Sequence, residues 1–538
     1  MNNLNEKSKG KFDLPLIIVS LALLLGFVVF MFFNPTAALD GTNSLFDVII
    51  QVTGSILEVF TLVAVVLSFY FGISRYGNVK LGEEEPEYNM FSYVAMMTLA
   101  ALASAALYWS FTEWASYYDA PGIGLEPHSV AATEAALGYQ FFHWGLSGQA
   151  IYVVIGVAMS YAFYVKKVPI LQTSAVCGAM MGERKGKTAI GKVIDFAVIF
   201  GIVGGLGCSL GLAVPLAGGA ITQVTGVEMT FPIQVGIVVV IALVFTFTSF
   251  IGTKKGMQYL SNITSVLCIG FLLYVFLAGP TTFIMKNTVN SFGWMIQEFP
   301  RMSLFLDPIA DTGFPEAWTL YFQAFYLNYA AMMGIFIAKV SKGRTIRQVS
   351  FATLFGISAG GWLIFAIDGS FSIHAHINGL TDLVSQVGAG HGETGIYNTL
   401  ELLPGGAMIL PIIMMVIIVG FVASSLDTAS LSLAQTTTKT LEKGGDVSRW
   451  LRVFWCIVLT LVPLSIIFAK ADFSALKMLS CIISVPFMFI IIYMEFGLFK
   501  WFKEDKKSGL LQKYMMKDSF IPDDPKELEA SDSDKKEA

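Results

Sequence analysis

The sequence has little charge and no closely spaced cysteines. Only 14% of its 538 residues are charged, whereas a soluble domain holds about 25%. The five cysteines are scattered along the chain, which argues against a disulfide framework or a zinc site. Walker, nucleophile-elbow and HExxH motifs are also missing. These absences exclude a coupled ATPase encoded in this chain.

Apolar residues dominate instead. They make up 55% of the chain, and the mean hydropathy is +0.67. A spanning helix needs roughly 20 predominantly apolar residues, so the sequence predicts a polytopic membrane protein. Twelve segments meet this condition, and they lie near residues 14–34, 48–73, 91–115, 138–165, 190–216, 232–252, 260–285, 316–341, 347–370, 406–435, 449–469 and 473–502.

The distribution of basic residues predicts the orientation. Twelve spans put both termini on one side, and the positive-inside rule makes that side cytoplasmic. Only four of the 34 basic residues then fall outside, namely Lys286, Arg301, Lys470 and Lys477. The apolar run 14–33 is longer than a signal-peptide core of about 7–15 residues, so it is interpreted as a retained first span.

The spans fall into two groups around a segment, 289–305, that is apolar on one side only and is expected on the membrane surface. Five spans precede it after the first two, and five follow. A tandem repeat with an odd number of spans is inverted, as in secondary transporters. We therefore predict an all-α polytopic fold of twelve transmembrane helices with two inverted five-helix repeats. The expected units are 1–90 (N-terminus and two peripheral spans), 91–288 (first repeat), 289–315 (surface helix and connector), 316–503 (second repeat) and 504–538 (charged cytoplasmic tail).

Polar and small residues inside three spans indicate where a site lies. The small residues of 101–106 permit close helix packing or, alternatively, an unwound helix whose backbone approaches a ligand. In the fourth span Gln149 and Tyr152 share one helical face. In the tenth, Ser424 and Ser425 are able to supply oxygen ligands to a small hard cation.

Several other polar groups have no evident role in the sequence. Glu58 and Asp427 are intramembrane carboxylates, which are site candidates by default. Asn328, among the rings of the eighth span, requires a partner that the sequence does not name. Three histidines near one outer loop resemble a metal site only weakly, because a full ligand set is missing; they are His374, His376 and His391.

Several stretches together resemble the betaine/carnitine/choline transporter (BCCT) family over about residues 15–503. They are "GIGLEPHS", "FHWG", "CSLGLAVPL", "FPRMSLFLDPIADTGFPEAWTLYFQAFY", "IAKVSKGRTIRQ" and "ASSLDTAS". The resemblance implies twelve helices with two inverted repeats, and secondary transport of a quaternary-ammonium solute across the cytoplasmic membrane. It also implies a homotrimer in the lipid bilayer, with no enzymatic activity and no nucleic-acid partner.

The resemblance also implies the substrate contacts. They are expected from the third span at Leu102 and Ser104, from the fourth at Trp144, Gln149 and Tyr152, and from the eighth at Gln323, Phe325, Tyr326 and Tyr329. The family's glycine-rich run in the third helix reads Ala101 to Ala105 here. Gln149 and Gln323 stand where the family has tryptophan, which thins an aromatic box for a cation. We therefore expect a solute with additional polar groups.

The coupling ion follows from the same resemblance. One sodium ion is expected at Ser424 and Ser425 with backbone oxygens of Leu99, Leu102 and Phe421, and no other cofactor. The resemblance implies that the family's second sodium site is lost, because Gly204 and Cys208 replace its two threonines. The alternative is a sodium-independent exchanger of the carnitine type, although such exchangers carry an arginine in the seventh span that this chain lacks. Two alternative hypotheses belong to other functional classes. One is a membrane enzyme, and the other is an osmotic sensor that acts through the tail.

Overall fold

The computed structural model describes residues 11–102, 104–182, 189–441, 446–469 and 473–515. Ala103 and the part of the tail beyond residue 515 lie outside the described residues. The helices of the first half are α1 (Leu14–Phe33), α2 (Pro35–Ile73), α3 (Met90–Leu102), α4 (Ala105–Asp119), α5 (Val130–His143), α6 (Leu146–Tyr164), α7 (Thr173–Met180), α8 (Ala189–Thr225), α9 (Phe231–Ile251), α10 (Gln258–Ala278) and α11 (Thr281–Met302).

The second half continues with helices of 5 to 28 residues. They are α12 (Leu320–Val340), α13 (Ile346–Phe351), α14 (Ser358–Ile364), α15 (Ser370–Ile377), α16 (Leu383–Gly388), α17 (Gly392–Glu401), α18 (Ile409–Thr436), α19 (Arg449–Ala469), α20 (Phe473–Ser484), α21 (Phe487–Lys507) and α22 (Leu510–Tyr514). Single 3₁₀ or π-helical turns cover Arg75–Asn78, Thr253–Met257, Pro315–Thr319, Ala352–Ile357 and Phe365–Gly369.

Two short strands mark one end of the helix bundle. β1 (Lys11–Phe12) pairs antiparallel with β2 (Thr438–Thr440), which follows the last turn of α18. We call this the strand end of the molecule. Lys339, at the C-terminal end of α12, lies at this end too, where its ammonium is 3.1 Å from a carboxylate oxygen of Asp446.

The predicted all-α polytopic fold is confirmed. Among the described residues, eleven helices are long and apolar enough to cross a membrane, or twelve if the bent pair α3–α4 is one span. The second span begins at Pro35 rather than 48, and its 39 residues reach about 58 Å, beyond the roughly 30 Å hydrocarbon core. Hydropathy does not detect such extensions, because a helix outside the hydrocarbon core needs no apolar surface.

The two halves of the bundle pack as equivalent units. The third span contacts the eighth through α3 and α12, and the fifth contacts the tenth through α8 and α18. The fourth span, α6, likewise contacts the ninth at α13 and the adjoining π turn. Two inverted repeats bring corresponding helices into contact at the centre of the bundle. The binding site is then expected between the repeats.

Two spans contain interruptions of the helix, and the periodicity of the sequence did not predict their positions. The third span bends by 58° between α3 and α4, within the run of small residues. The fourth span breaks between α5 and α6 at Trp144 and Gly145. Of the two interpretations of the small residues, the interrupted helix is therefore the one that the structure shows. The carbonyl groups of the last turn of α3 are left without amide donors from their own helix.

The surface helix and the long outer segment differ in detail from expectation. The surface helix α11 begins at Thr281, earlier than 289. The segment 371–405, expected as a loop, holds most of α15 together with α16 and α17. The His376 ring packs against the Trp114 ring, with centroids 5.5 Å apart, and the His374 ring packs against the Phe283 ring, with centroids 5.0 Å apart. Within the described ranges no group of three His, Cys, Asp or Glu residues is arranged to hold a metal ion.

The basic loop after α12 is anchored by a buried arginine. Arg344 is only 3% exposed, donates from Nη2 to the carbonyl oxygen of Tyr88 at 2.7 Å, and lies over the Tyr93 ring at 3.9 Å. The Tyr93 hydroxyl is 2.7 Å from Ser341 Oγ. Arg344 thus joins the segment at the start of α3 to the C-terminal end of α12.

Replacing Arg344 with lysine is expected to lower stability although the charge is kept. An ammonium cannot stack over Tyr93 and reach the Tyr88 carbonyl in the same planar geometry. The loss should be about 1–3 kcal/mol, measured as a lower melting temperature of the purified protein. An Arg347→Lys variant in the same loop is the control, and an equal loss in both variants would contradict this role.

Candidate functional site

A broad vestibule opens into the bundle at the end opposite the strands. Its volume is about 820 Å³, and it lies where α12 begins, facing α2, α4 and α8. The lining mixes aromatic rings with acidic side chains, among them Asp47, Glu316, Trp109, Trp318 and Tyr321. The vestibule narrows onto Trp144, which lines both this cavity and the smaller one beneath it.

Beneath the vestibule is a chamber walled by six aromatic rings. It encloses only about 10 Å³ of space, which is about the room that one water needs. A solute therefore enters only if rings of the fourth and eighth spans move apart. The six rings, which we call the aromatic chamber, belong to Trp144, Tyr152, Phe322, Phe325, Tyr326 and Tyr329.

Helical spacing explains the wall that α12 contributes. Residues 322, 325, 326 and 329 are three or four apart, so their side chains lie on one face. On α6 a glycine allows the close approach, because a Cβ on Gly148 would lie 2.1 Å from the Tyr326 ring. The Tyr326 ring consequently lies beside Tyr152, with centroids 5.3 Å apart.

A buried carboxylate holds the Trp144 indole. Trp144 Nε1 donates to Glu113 Oε2 at 2.6 Å, and the Tyr117 hydroxyl donates to Glu113 Oε1 at 2.5 Å. Since the hydroxyl has one proton, His143 Nδ1–H donates to Tyr117 at 2.7 Å, and His143 Nε2 accepts from Thr319 at 3.1 Å. Glu113 is fully buried. Its hydrogen bond thereby fixes the Trp144 indole where the vestibule and the chamber share their lining.

The predicted substrate residues divide into two sets. Leu102, Trp144, Tyr152, Phe325, Tyr326 and Tyr329 line the aromatic chamber. Gln149, Gln323 and Ser104 do not appear in the lining of either cavity. The Ser104 hydroxyl donates to the carbonyl oxygen of Ser209 at 3.2 Å.

The two glutamines are buried beside the chamber. Gln149 Nε2 is 3.4 Å from the Trp144 carbonyl oxygen and 3.4 Å from the Tyr326 hydroxyl. Its Oε1 and that of Gln323 are buried and lack a partner among the described residues. Gln149 thus contacts the backbone of Trp144 and the hydroxyl of Tyr326.

One aromatic and one hydroxyl residue of the chamber lining were missed in the sequence. Phe322 lines both cavities, and the i, i+3, i+4, i+7 spacing with the other rings of α12 was a signal that pointed to it. Ser209 also lines both, and its hydroxyl is 2.8 Å from that of Tyr329, which donates to the Gly205 carbonyl at 3.0 Å. No sequence motif marked Ser209, because its relation to Tyr329 exists only after α8 and α12 pack together.

Three of the five expected sodium ligands, Leu99, Phe421 and Ser425, come together at the end of α3. Ser425 Oγ is 2.9 Å from the carbonyl oxygen of Leu99 and 3.1 Å from that of Phe421. Leu102 is the last residue of α3, one turn beyond Leu99. Ser424 Oγ lies on a different side, 3.3 Å from Ser261 Oγ. Uncharged oxygens grouped in this way fit a small hard cation, so the residues present suit sodium.

Three polar groups of unassigned role have clear surroundings. Asn328 Nδ2 donates to Ser480 Oγ of α20 at 3.1 Å, which supplies the partner that the sequence did not name. Asp427 Oδ1 accepts from Arg452 Nη2 at 2.6 Å and is therefore paired. Both carboxylate oxygens of Glu58 are buried without a hydrogen-bond partner in the described part of the chain.

A polytopic helix bundle with broken spans, a vestibule and a central chamber between two equivalent halves defines a secondary transporter. The chain belongs to the BCCT, betaine/carnitine/choline family of transporters, whose model matches residues 15–507. It is a transporter and not an enzyme.

Two curated relatives agree with this assignment. The chain is 36% identical over 446 residues to a carnitine transporter of Acinetobacter baumannii, covering 83% of this chain and 81% of that protein. It is 35% identical over 444 residues to the uncharacterized transporter YeaV of Escherichia coli K12, covering 82% and 92%. A sodium-coupled sialic acid symporter in a substrate-bound, outward-open state aligns with a TM-score of 0.43 at 13% identity, covering 83% of this chain and 95% of that one.

Proposed function

We propose that this protein carries a small solute with a quaternary-ammonium or related amine group across the cytoplasmic membrane in symport with sodium. The six rings of the aromatic chamber are the observation that carries the proposal. A cation over a ring face gains about 0.5–2 kcal/mol, most with tryptophan. A methylated ammonium offers no N–H group, so rings suit it better than hydrogen-bond acceptors do.

Within this class we propose a zwitterion with a hydroxyl or carboxylate, of which carnitine is the first candidate. The relative from Acinetobacter baumannii is named a carnitine transporter. Beside the rings, Ser209 supplies a hydroxyl to the lining, and Gln149 and Gln323 have buried oxygens without partners in the described residues. These groups would meet the polar end of the solute once the chamber widens.

Sodium symport is proposed over exchange because the oxygens of Leu99, Phe421 and Ser425 are grouped at the break of the third span. When bound, sodium would hold α3 to α18 and so couple the two halves. The chain also lacks arginine between positions 184 and 301, where a carnitine exchanger of this family carries one. A homotrimer with both termini cytoplasmic completes the proposal, and the basic loops support that orientation.

Uptake into proteoliposomes tests the proposal. Radiolabelled carnitine, glycine betaine and choline should be compared with a sodium gradient or a potassium gradient, and with or without solute inside. We expect sodium-driven uptake into empty vesicles and at least one of these solutes to be accumulated. Uptake that requires internal solute and ignores sodium would establish the exchanger instead, and failure of all three solutes to bind would overturn the substrate class.

A further inference from the structure

A second buried acidic site lies away from the proposed sodium ligands. A π-helical turn, Phe365–Gly369, interrupts the ninth span, and Asp368 within it is fully buried. Its Oδ2 accepts from Ser110 Oγ of α4 at 3.3 Å. Its Oδ1 has no hydrogen-bond partner among the described residues. π-Helical turns inside α-helices frequently mark functional positions.

A second unpartnered oxygen faces the same turn. Gln140 Nε2 donates to the carbonyl oxygens of Trp109 at 2.9 Å and Ser110 at 3.4 Å, which fixes the amide's orientation. Gln140 Oε1 is buried without a partner in the part of the chain that is described. A Cβ on Gly369 would lie 3.0 Å from this oxygen and 3.1 Å from the Ser110 carbonyl oxygen, so both oxygens lie against the turn that holds Asp368.

Asp368 has a hydroxyl partner and no positively charged one in the described part of the chain. From α10 the titratable group within electrostatic range is the Cys268 thiol, and from α11 Asn287 donates to Ser370 Oγ at 3.1 Å. No basic side chain within the described ranges forms an ion pair with Asp368. An uncompensated buried carboxylate is strongly unfavourable, and so is an amide oxygen left without a donor.

We propose that Asp368, Gln140 and Ser110 form a second cation-binding site, distinct from the one at Ser425. One positive species between the carboxylate and the Gln140 oxygen would give both unpartnered oxygens an interaction partner. It is either a proton on Asp368 Oδ1 that is donated to Gln140, or a sodium ion held by these oxygens. The site adjoins the vestibule wall, because Gln140 is bonded to the backbone of Trp109, whose side chain lines the vestibule.

The test uses the purified full chain. It measures the protonation state of Asp368 and the stabilisation of the protein by sodium chloride. Infrared spectra of wild type and Asp368→Asn reveal whether a protonated-carboxyl band belongs to Asp368. Melting temperatures of Ser425→Ala, alone and combined with Asp368→Asn, are measured with sodium or potassium. We expect either a band that Asp368→Asn removes, or sodium stabilisation that survives Ser425→Ala and is lost in the double variant.

Controls separate this site from general damage. Glu495→Gln alters another buried carboxylate without described partners, on α21, and should leave the signature of Asp368 unchanged. Gln140→Leu, which keeps Asp368, should shift the same band or weaken sodium binding about tenfold, and it serves if Asp368→Asn does not fold. The site would be overturned if the protonated-carboxyl band were missing and no sodium stabilisation remained after Ser425→Ala. These readouts involve no transported solute, so they stand or fall separately from the proposed function.

Discussion

Replacing Trp144 with alanine is expected to weaken solute binding by at least tenfold, the largest effect on substrate affinity of any single change considered. The indole is one of six chamber rings, lies at the junction with the vestibule, and contacts Phe322 edge to face with centroids 5.5 Å apart. Its loss removes a cation–π partner of about 0.5–2 kcal/mol together with apolar contact area. Equilibrium binding of labelled carnitine or betaine measures the change.

The removal of Trp144 also affects Glu113. Without the indole N–H, Glu113 keeps only the Tyr117 hydroxyl as a donor in the described structure. Trp144→Phe separates the two contributions, because it keeps a ring but not the N–H donor. We expect this variant to retain more affinity than Trp144→Ala while sharing its lower melting temperature.

Trp109→Ala is the matched control for the chamber. Trp109 lines the vestibule but not the chamber, so its loss should change affinity less than about threefold. Equal losses for Trp109→Ala and Trp144→Ala would mean that the solute is bound in the vestibule. That outcome would contradict the assignment of the aromatic chamber as the principal binding site.

Replacing Ser425 with alanine is expected to raise the half-saturating sodium concentration for uptake by about tenfold or more. The hydroxyl is the side-chain oxygen that meets the Leu99 and Phe421 carbonyl oxygens at 2.9 and 3.1 Å. Losing one hydrogen-bonding or ligating group to a charged species removes about 1.5–3 kcal/mol. Uptake measured against sodium concentration at saturating solute gives the effect directly.

Ser432→Ala is the control for this change, on the same helix and with the same atoms removed. The Ser432 hydroxyl donates to the Met332 carbonyl at 3.3 Å and takes no part in the Ser425 cluster. It should leave the sodium dependence unchanged. If Ser425→Ala lowers uptake equally at all sodium concentrations, the residue acts in packing and not in sodium binding.

The two predictions are linked by α3 and the break that follows it. Leu102 ends this helix and lines the aromatic chamber, whereas Leu99, one turn earlier, contacts Ser425. Sodium at Ser425 would therefore fix the backbone that forms one wall of the chamber. We expect sodium to increase the affinity for solute in wild type, and this increase to be lost in Ser425→Ala.

Much of this site was predictable because it follows a local pattern. The ring face of α12 arises from the helical period, and five of the six rings were identified in the sequence. Gln149 and Gln323 were placed among the substrate contacts by comparison of positions, yet the structure buries them beside the chamber. Aligned position specifies a residue's helix and approximate depth, whereas its orientation depends on how the neighbouring helices pack.

The contacts that the sequence did not define all join distant segments. Glu113 reaches Trp144 across the α4–α5 turn, Ser209 reaches Tyr329 from α8, and Arg452 reaches Asp427 from α19. No periodicity relates such positions, since each pair becomes adjacent only after its helices dock. The same reason explains why Asp368 and Gln140 were not recognised as neighbours.

The sequence by itself determined that this protein lies in a membrane, roughly where its spans lie along the chain, and which family it resembles. Those properties depend on local apolarity and on short motifs, which each segment carries alone. The tertiary structure decided where the third span bends, which rings enclose the chamber and which oxygens meet at Ser425. Helix α3 ends at Leu102, so carbonyl oxygens of its last turn need other donors. The Ser425 hydroxyl, which comes from a distant part of the chain, donates to the Leu99 carbonyl oxygen among them.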